Sequence, residues 1–305
     1  MKLGLDKTSI ISYYTNIISF LLITMNERGN AMNTQYLQQP NGQIAYTDSG
    51  SGPLVICLPS MGDLRAEYRF LAPQLIAAGY RVVSMDVRGH GETSVNWPDY
   101  SVGAIGGDLV ALIQALQAGP ALVIGASMAA GAAVWAAAEA PDLVTGLVLV
   151  GPFVRGGGAW LGNLFYSVLF ARPWGPTLWQ WYYSMLYPTR KPADFAQYSA
   201  RLRANLQEPG RLEALLQMLF ASKAASAARL ARVNKPTLVL MGSKDPDFKP
   251  PVAEAEWVAN QLHGAYTMIE NAGHYPHAEM PEVTGPLVLA FFQSLPVSPE
   301  VVYVA

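Results

Sequence analysis

The chain has 305 residues, 51% of them hydrophobic and only 14% charged, and its 20 Lys and Arg nearly balance its 22 Asp and Glu. A chain without excess positive charge lacks the electrostatic footprint of nucleic-acid binding, so we expect no nucleic acid among its partners. The low charge instead favours small lipophilic molecules as partners, and the length allows a large buried core.

Residues 1–31 form an N-terminal extension ahead of the first plausible strand, which Met32 introduces. The apolar run 17–25 follows two lysines, as in a signal peptide, but no small-residue cleavage site comes after it. We therefore expect the extension to be disordered or a start-site artefact. We expect the protein to be cytoplasmic, with export as the less favoured alternative. No membrane partner is expected, because no run approaches the roughly 20 apolar residues that cross a bilayer.

From Leu54 onward, short aliphatic runs alternate with longer segments rich in alanine and leucine, which is the pattern of repeated βαβ units. This pattern predicts an α/β fold with a mostly parallel central sheet flanked by helices. We expect residues 32–151 and 234–305 to form this core. The predicted strands are 54–58, 81–86, 121–125, 147–150, 237–241 and 266–270, and the predicted helices include 68–78, 104–116 and 128–140.

Between residues 152 and 233 the strand pattern disappears, and a helical stretch rich in aromatic residues takes its place. We expect a helical cap here, inserted between two strands of the core. Its aromatic side chains could be the buried faces of packed helices or a lipophilic wall for substrate. The residues that we single out as substrate contacts are Trp160, Phe165, Trp179, Tyr182 and, outside this stretch, His277. The apolar surface could serve a homodimer interface as readily as a substrate entrance.

The strongest local motif surrounds Ser127, where an aliphatic strand leads through Gly125 to the serine and then into an alanine-rich helix. This is the setting of a nucleophile elbow, a strained turn that needs small residues two positions before and two after the serine. Gly125 and Ala129 meet that need. The turn also brings the Met128 N–H to a helix N-terminus, where it can stabilise an oxyanion. Ser127 is therefore the candidate nucleophile.

A carboxylate and a histidine follow the serine in the chain order Ser, Asp, His that such elbows use. Asp245 comes just after the predicted strand 237–241, and His274 comes just after the predicted strand 266–270. Both would lie at the carboxyl edge of the sheet, where open α/β sheets bind ligands. A serine hydroxyl needs a base, and the base needs a carboxylate that fixes its tautomer. We predict His274 as the general base and Asp245 as its acid, with Asp247 as the less favoured acid.

Two further segments are DVRGHGET at residues 86–93 and GHYPHAEMPE at residues 273–282. Together with the serine turn, they make the chain resemble the α/β-hydrolase family over roughly residues 46–292. The resemblance implies the family's fold, a helical cap near residues 152–233, and no cofactor.

By its position after the third strand of the family, the Met61 backbone N–H is implied to be a second oxyanion donor beside that of Met128. Where the family usually has His-Gly at this turn, the chain has Pro59-Ser60. His277 is interpreted as a pocket residue or a structural residue rather than as the base. No metal site is expected at His274 and His277, because no further ligand cluster accompanies the pair.

No carboxylate occupies the elbow, which argues against the epoxide hydrolases and haloalkane dehalogenases of this fold, since they attack with aspartate. The leading hypothesis is hydrolysis of a small lipophilic carboxylic ester through an acyl-enzyme. The same triad supports opening of lactones and hydrolysis of carbon–carbon bonds, and the fold alone does not choose among them. The alternative from another class is a receptor-like protein that binds ligands without turnover, which the altered turn at Pro59-Ser60 favours.

Overall fold

The computed structural model describes residues 33–156 and 168–295, and these build an eight-stranded sheet with helices packed on both faces. Along the sheet the strand order is β1-β2-β4-β3-β5-β6-β7-β8. Strand β2 is antiparallel to both of its neighbours, and the remaining pairs are parallel. The predicted α/β fold with a mostly parallel sheet is confirmed. The strands are β1 (Gln35–Gln39), β2 (Gly42–Ser49), β3 (Leu54–Leu58), β4 (Arg81–Met85), β5 (Ala121–Ala126), β6 (Val144–Val150), β7 (Thr237–Gly242) and β8 (Ala265–Ile269).

The central strands are buried along their whole length, because helices cover the sheet on both sides. Alternate residues of one strand therefore enter two different cores. Ile56 of β3 packs with residues of one face, whereas Val55 and Cys57 pack with residues of the other. The continuous apolar runs in the sequence follow from this two-sided burial.

The helices alternate with the strands as the sequence pattern indicates. They are α1 (Ala72–Ala77), α2 (Val102–Leu116), α3 (Met128–Glu139), α4 (Gly175–Met185), α5 (Phe195–Gln207), α6 (Arg211–Phe220), α7 (Ala224–Ala227), α8 (Pro251–Gln261), α9 (Pro276–Glu279) and α10 (Pro281–Ser294). Helices α2, α3 and α8 contribute to the core on one face of the sheet, and α1 and α10 contribute to the core on the other.

Two predicted helix boundaries differ from the observed ones for local reasons. The predicted helix 68–78 is divided into a short 3-10 turn at Arg65–Tyr68 and helix α1, which has Pro73 in its first turn. Proline lacks an N–H and is favoured there. Helix α2 begins at Val102 rather than at residue 104, because the Ser101 hydroxyl caps it by accepting a hydrogen bond from the Ala104 N–H at 3.2 Å.

Between β6 and β7 the described residues form helices α4 to α7 and no strand. Their buried aromatic and leucine side chains form two small clusters apart from the sheet cores. The Arg69 guanidinium, which precedes α1, holds the Asp194 carboxylate at the start of α5 through two hydrogen bonds of 2.6 and 2.8 Å. The helices between the two strands are thus fastened to the sheet-forming part of the chain.

Several predictions concern residues that the structure does not describe. Trp160 and Phe165 lie outside the described residues, as does the N-terminal extension 1–31. Within residues 33–156 and 168–295, no helix combines the length and the apolar character that spanning a membrane requires.

Candidate active site

Ser127 stands between the end of β5 and the start of α3, in a backbone conformation that few residues other than glycine adopt. Its φ is 53° and its ψ is −123°. Its N–H donates to the Val150 carbonyl at 2.8 Å, and its own carbonyl accepts from the Phe153 N–H at 3.1 Å. These bonds to the end of β6 and the loop after it hold the strained turn in place.

The small residues of the motif allow the strand and the helix to approach each other closely. A Cβ atom added to Gly125 would lie 2.7 Å from the Ala129 carbonyl oxygen, which is closer than side-chain carbons come in proteins. Both residues are buried. The glycine two positions before the serine therefore has a steric cause.

His274 and Asp245 are hydrogen-bonded to each other. The Nδ1 atom of His274 lies 2.7 Å from Oδ2 of Asp245 and 3.8 Å from Oδ2 of Asp247. The adjacent parallel strands β7 and β8 end next to each other, which brings their following loops together. Both Asp247 oxygens instead accept from the Tyr182 hydroxyl, at 2.7 and 2.8 Å.

The carboxylate changes the proton affinity of the imidazole. Burial by itself lowers the pKa of His274, but the charge of Asp245 and the hydrogen bond to it outweigh burial, and the pKa rises above its ordinary value of 6.5. Since Nδ1 faces the carboxylate, the neutral ring carries its proton on Nδ1 and keeps the Nε2 lone pair. The arrangement suits a histidine that accepts a proton through Nε2.

A cavity of about 320 Å³ brings most of the predicted site residues together. Its walls include Met61, Ser127, Met128, Trp179, Tyr182 and His274. Most of its lining is apolar, and Phe153 and Leu219 add to that lining. The serine and the histidine thus face one lipophilic space.

The turn that contains Met61 is fixed on both sides of that residue. The Ser60 N–H donates to Oε2 of Glu67 at 2.7 Å, and the Gly62 N–H donates to Nε2 of His90 at 2.9 Å. No hydrogen bond from the Met61 N–H to another described residue is present. The Met61 N–H is therefore available to a ligand, and so is the Met128 N–H, which belongs to the first turn of α3.

His90 is a neutral acceptor at this turn. Its Nδ1 lies 2.9 Å from the Arg88 carbonyl oxygen, to which it donates, and this leaves Nε2 to accept from Gly62. Burial lowers the pKa of His90 to about 4, so the ring stays uncharged at neutral pH. The turn has Pro59-Ser60 where the family usually has His-Gly. Here the His90 side chain, which comes from another loop, stabilises the turn by accepting the hydrogen bond from Gly62.

The structure places His277 away from the cavity, and the expected substrate contact is corrected to a structural one. The ring is fully buried, its Nε2 lies 2.9 Å from Oε1 of Glu67, and it stacks on Tyr68. The reason is local: His277 lies in the short helix α9, where Glu67 and Tyr68 contact its ring. His277 and Ser60 therefore share Glu67 as a hydrogen-bond partner.

Asp245, Asp247 and His274 each offer one potential metal-ligand atom, and these atoms lie within 4.8 Å of one another. Each of the three side chains already has a hydrogen-bond partner. A metal ion here would have to displace the short bond between His274 and Asp245. The cluster is better explained by that bond.

Two cationic residues of the cavity wall, Arg155 and Lys223, were not anticipated from the sequence. Arg155 lies on the loop after β6, whose Phe153 N–H donates to the Ser127 carbonyl. This position close to the nucleophile is a signal that could have been used. Lys223 stands among alanine and serine in the sequence, so nothing in its neighbourhood indicates burial.

Comparison with known proteins identifies the class of protein. The family model of the alpha/beta hydrolase fold matches residues 53–281. The chain therefore belongs to the α/β-hydrolase fold family, and it is an α/β-hydrolase, as the motifs predict. In a solved structure, an esterase from Exiguobacterium antarcticum, the fold matches with a TM-score of 0.74 and 19% identity over 86% of this chain and 100% of that chain.

Among curated relatives, a protein of Mycobacterium tuberculosis designated non-heme bromoperoxidase BpoC is 36% identical over 108 residues. That match covers 35% of this chain and 41% of the relative. A longer match is to the 2-hydroxy-6-oxononadienedioate/2-hydroxy-6-oxononatrienedioate hydrolase of Comamonas testosteroni, at 27% identity over 88% of this chain and 94% of the relative.

Proposed function

We propose that the protein is a serine hydrolase that cleaves a small lipophilic carboxylic ester through an acyl-enzyme. Ser127 is the nucleophile, His274 the general base and Asp245 the acid that orients the base. The observation that carries the proposal is the strained conformation of Ser127 in a cavity that it shares with a carboxylate-bound histidine. Strain of this kind occurs at nucleophile elbows, where it exposes the hydroxyl to the substrate.

In the first half of the reaction, Nε2 of His274 takes the Ser127 hydroxyl proton as Oγ bonds to the ester carbonyl carbon. The resulting imidazolium faces Asp245, whose charge stabilises it. Collapse of the tetrahedral intermediate breaks the bond to the alcohol, which leaves with the proton from His274. Water then attacks the acyl-enzyme by the same route, releasing the acid and restoring Ser127.

The oxyanion of each tetrahedral intermediate needs hydrogen-bond donors that are in place before it forms. The free N–H groups of Met61 and Met128, two residues that line the cavity, are the donors of this proposal. Loss of one such donor costs on the order of 3 kcal/mol in other hydrolases. The hydrogen bonds from Ser60 to Glu67 and from Gly62 to His90 support a fixed orientation of the intervening N–H.

The size and the lining of the cavity favour a compact apolar substrate. A volume of about 320 Å³ is at the lower end of ligand pockets, and Met61, Trp179 and Leu219 supply apolar wall. We expect butyrate to octanoate esters to be cleaved better than acetate, because longer acyl chains bury more apolar surface.

The test uses purified wild type, Ser127→Ala and a matched Ser51→Ala control with p-nitrophenyl esters from acetate to octanoate. Ser51 is exposed on the loop before β3, at the opposite edge of the sheet. Turnover that persists in Ser51→Ala and falls in Ser127→Ala by several orders of magnitude supports the assignment. Unchanged turnover in Ser127→Ala contradicts it.

A fluorophosphonate probe separates the enzyme from the receptor-like alternative. Covalent labelling of wild type, located on the peptide that contains Ser127 by mass spectrometry, supports an activated serine. A folded wild type that binds lipophilic ligands but neither reacts with the probe nor cleaves any ester supports the alternative instead.

Hydrolysis of a carbon–carbon bond is the second candidate, and the similarity to the Comamonas testosteroni hydrolase over 88% of the chain favours it. The same serine and histidine would act on a ketone of a 2-hydroxy-6-oxo-dienoate. Loss of the visible absorbance of such a compound in the presence of wild type, together with weak ester turnover, would favour this reaction over ester hydrolysis.

A further inference from the structure

Lys223 is a buried cation in the wall of the proposed active-site cavity. It lies between α6 and α7 with only 6% of its surface exposed, and it lines the cavity with Ser127 and His274. Its backbone N–H donates to the Gly156 carbonyl at 3.1 Å, which fixes the position of the residue. Burial lowers the pKa of Lys223 from its ordinary value. Lysine is almost never buried in this way unless a partner compensates its charge.

No carboxylate is paired with Lys223 among the residues that the structure describes. Residues 157–167, which follow Gly156 in the sequence, include neither Asp nor Glu. By contrast, Arg155, the other cation of the wall, is held by both oxygens of Glu254 at 3.1 and 2.5 Å and lies over the Trp257 ring. Glu254 balances the charge of Arg155, whereas no described residue balances that of Lys223.

The contacts that Lys223 does make are weak. Its Nζ lies 3.5 Å from the Met218 carbonyl oxygen and 3.4 Å from that of Leu219, at the outer limit of hydrogen bonding. Both carbonyls belong to the last turn of α6, where a cation is favourable. A lysine that only capped this helix would extend its ammonium group to solvent, as long charged side chains usually do. Helix capping therefore does not account for its burial in the cavity wall.

We infer that Lys223 forms an anion subsite of this cavity, and that the substrate is an ester that also carries a carboxylate. This inference rests on the proposed ester hydrolysis and specifies its substrate class. The substrate carboxylate would supply the negative charge that no described residue supplies, while the apolar wall contacts the chain between the carboxylate and the scissile ester. Lys223 is then a specificity-determining residue, and it takes no part in bond breaking.

The experiment compares monomethyl esters with dimethyl esters of dicarboxylic acids from succinate to suberate. Each pair has the same chain and differs in one negative charge. The proteins are wild type, Lys223→Met and the matched control Lys191→Met, which removes an exposed lysine next to Phe195 of the helical region. The readouts are kcat and KM for each ester and the thermal unfolding temperature of each variant.

We expect wild type and Lys191→Met to prefer the monoester at one chain length. In Lys223→Met, kcat/KM for that monoester should fall by about tenfold to a hundredfold, mainly through KM, since this is the usual effect of losing a hydrogen bond to a charged group. The value for the diester should stay nearly constant. Equal losses for both esters together with a lower unfolding temperature would assign Lys223 to helix capping and overturn the inference.

Binding of monomethyl adipate, followed by the fluorescence of the tryptophan side chains, tests the subsite without turnover. If wild type cleaves neither ester but binds this monoanion in a way that Lys223→Met abolishes, the proposed reaction fails and the subsite stands. If wild type cleaves neutral esters but Lys223→Met leaves both binding and ester preference unchanged, the subsite fails and the proposed reaction stands.

Discussion

The indole Nε1 of Trp179 donates a hydrogen bond to the carbonyl oxygen of Gly62 at 3.3 Å, so that helix α4 contacts the turn that carries Met61. Gly62 has a φ of 73°, and an added Cβ would lie 2.3 Å from the Trp179 ring. Only glycine permits this approach. An aromatic residue predicted as a lipophilic contact therefore also holds the proposed oxyanion turn.

Replacing Trp179 with phenylalanine should lower kcat for esters by about fivefold to tenfold. Phenylalanine keeps an aromatic side chain, although a smaller one, but the hydrogen bond to Gly62 is lost, and one neutral hydrogen bond contributes on the order of 1 kcal/mol. Steady-state kinetics with p-nitrophenyl butyrate measures the change. Trp181→Phe is the control, because Trp181 lies on the same helix with 59% of its surface exposed. Identical kinetics for the two variants would show that the bond to Gly62 is unimportant.

His90 is predicted to be a positioning residue for the Met61 N–H. In His90→Leu the Gly62 N–H loses its acceptor, so the neighbouring Met61 N–H is held less firmly. We expect kcat to fall by about tenfold to a hundredfold with little change in KM, because the Met61 N–H stabilises the transition state. Kinetics at saturating ester, with a melting curve for each variant, provides the measurement.

His90→Gln is the conservative comparison, because its amide can both accept from Gly62 and donate to the Arg88 carbonyl. This variant should recover most of kcat. If His90→Gln lowers kcat as much as His90→Leu does, or if both variants change only KM, His90 does not act through the oxyanion turn.

Asp245 and Asp247 differ by two positions in the sequence, and the structure distinguishes them by hydrogen bonding. Asp245 is bound to the His274 ring, and Asp247 to the Tyr182 hydroxyl. Asp245→Asn should lower kcat by on the order of 10⁴, because the amide favours the wrong tautomer of the histidine. Asp247→Asn should cost far less. Comparable losses in the two variants, measured with the same ester, would contradict the assignment of Asp245.

The contexts of Ser127, Asp245 and His274 could be predicted because each follows an apolar strand, and parallel strands end at one edge of a sheet. The place of His277 could not, although it lies only three residues after His274. His277 lies in the short helix α9, which begins at Pro276, and its ring is bound to Glu67, whereas His274 lines the cavity. Sequence spacing does not reveal this difference. The burial of Lys223 depends likewise on tertiary contacts between distant segments. Local sequence patterns thus predict where strands end. They do not predict the direction of side chains that follow those strands, because tertiary contacts determine it.

The pH dependence of ester hydrolysis should reflect the raised pKa of His274. The ring must be neutral to accept the Ser127 proton, so protonation below this pKa inactivates the enzyme. Because Asp245 raises the pKa above 6.5, kcat/KM should increase with pH and reach its half-maximal value on the alkaline side of 6.5. A pH–rate profile of wild type measures the midpoint. A midpoint at or below 6.5 would show that the carboxylate does not raise the pKa of the free enzyme.

Glu67 is fully buried between Ser60 and His277, and its ionisation should affect the stability of the fold. Burial raises the pKa of Glu67 from 4.5 to about 7, against the opposing hydrogen bonds from Ser60. Between these values the folded protein holds a proton that the unfolded chain releases. The contribution of Glu67 to the free energy of unfolding is therefore full below the unfolded pKa and is lost as pH rises through the folded pKa.

Other buried groups titrate in the same range, so the wild-type curve alone does not isolate Glu67. Burial raises the pKa of Asp63 to about 7, which gives the same sign, whereas it lowers the pKa of His90 to about 4, which gives the opposite sign. The informative quantity is the difference in unfolding temperature between Glu67→Gln and wild type. Because glutamine does not titrate, this difference should shift in favour of the variant by several degrees between about pH 5 and about pH 8. Glu256→Gln, at an exposed position on α8, is the control and should show no such shift. If the difference in unfolding temperature from wild type is independent of pH for both variants, Glu67 stays ionised throughout the range.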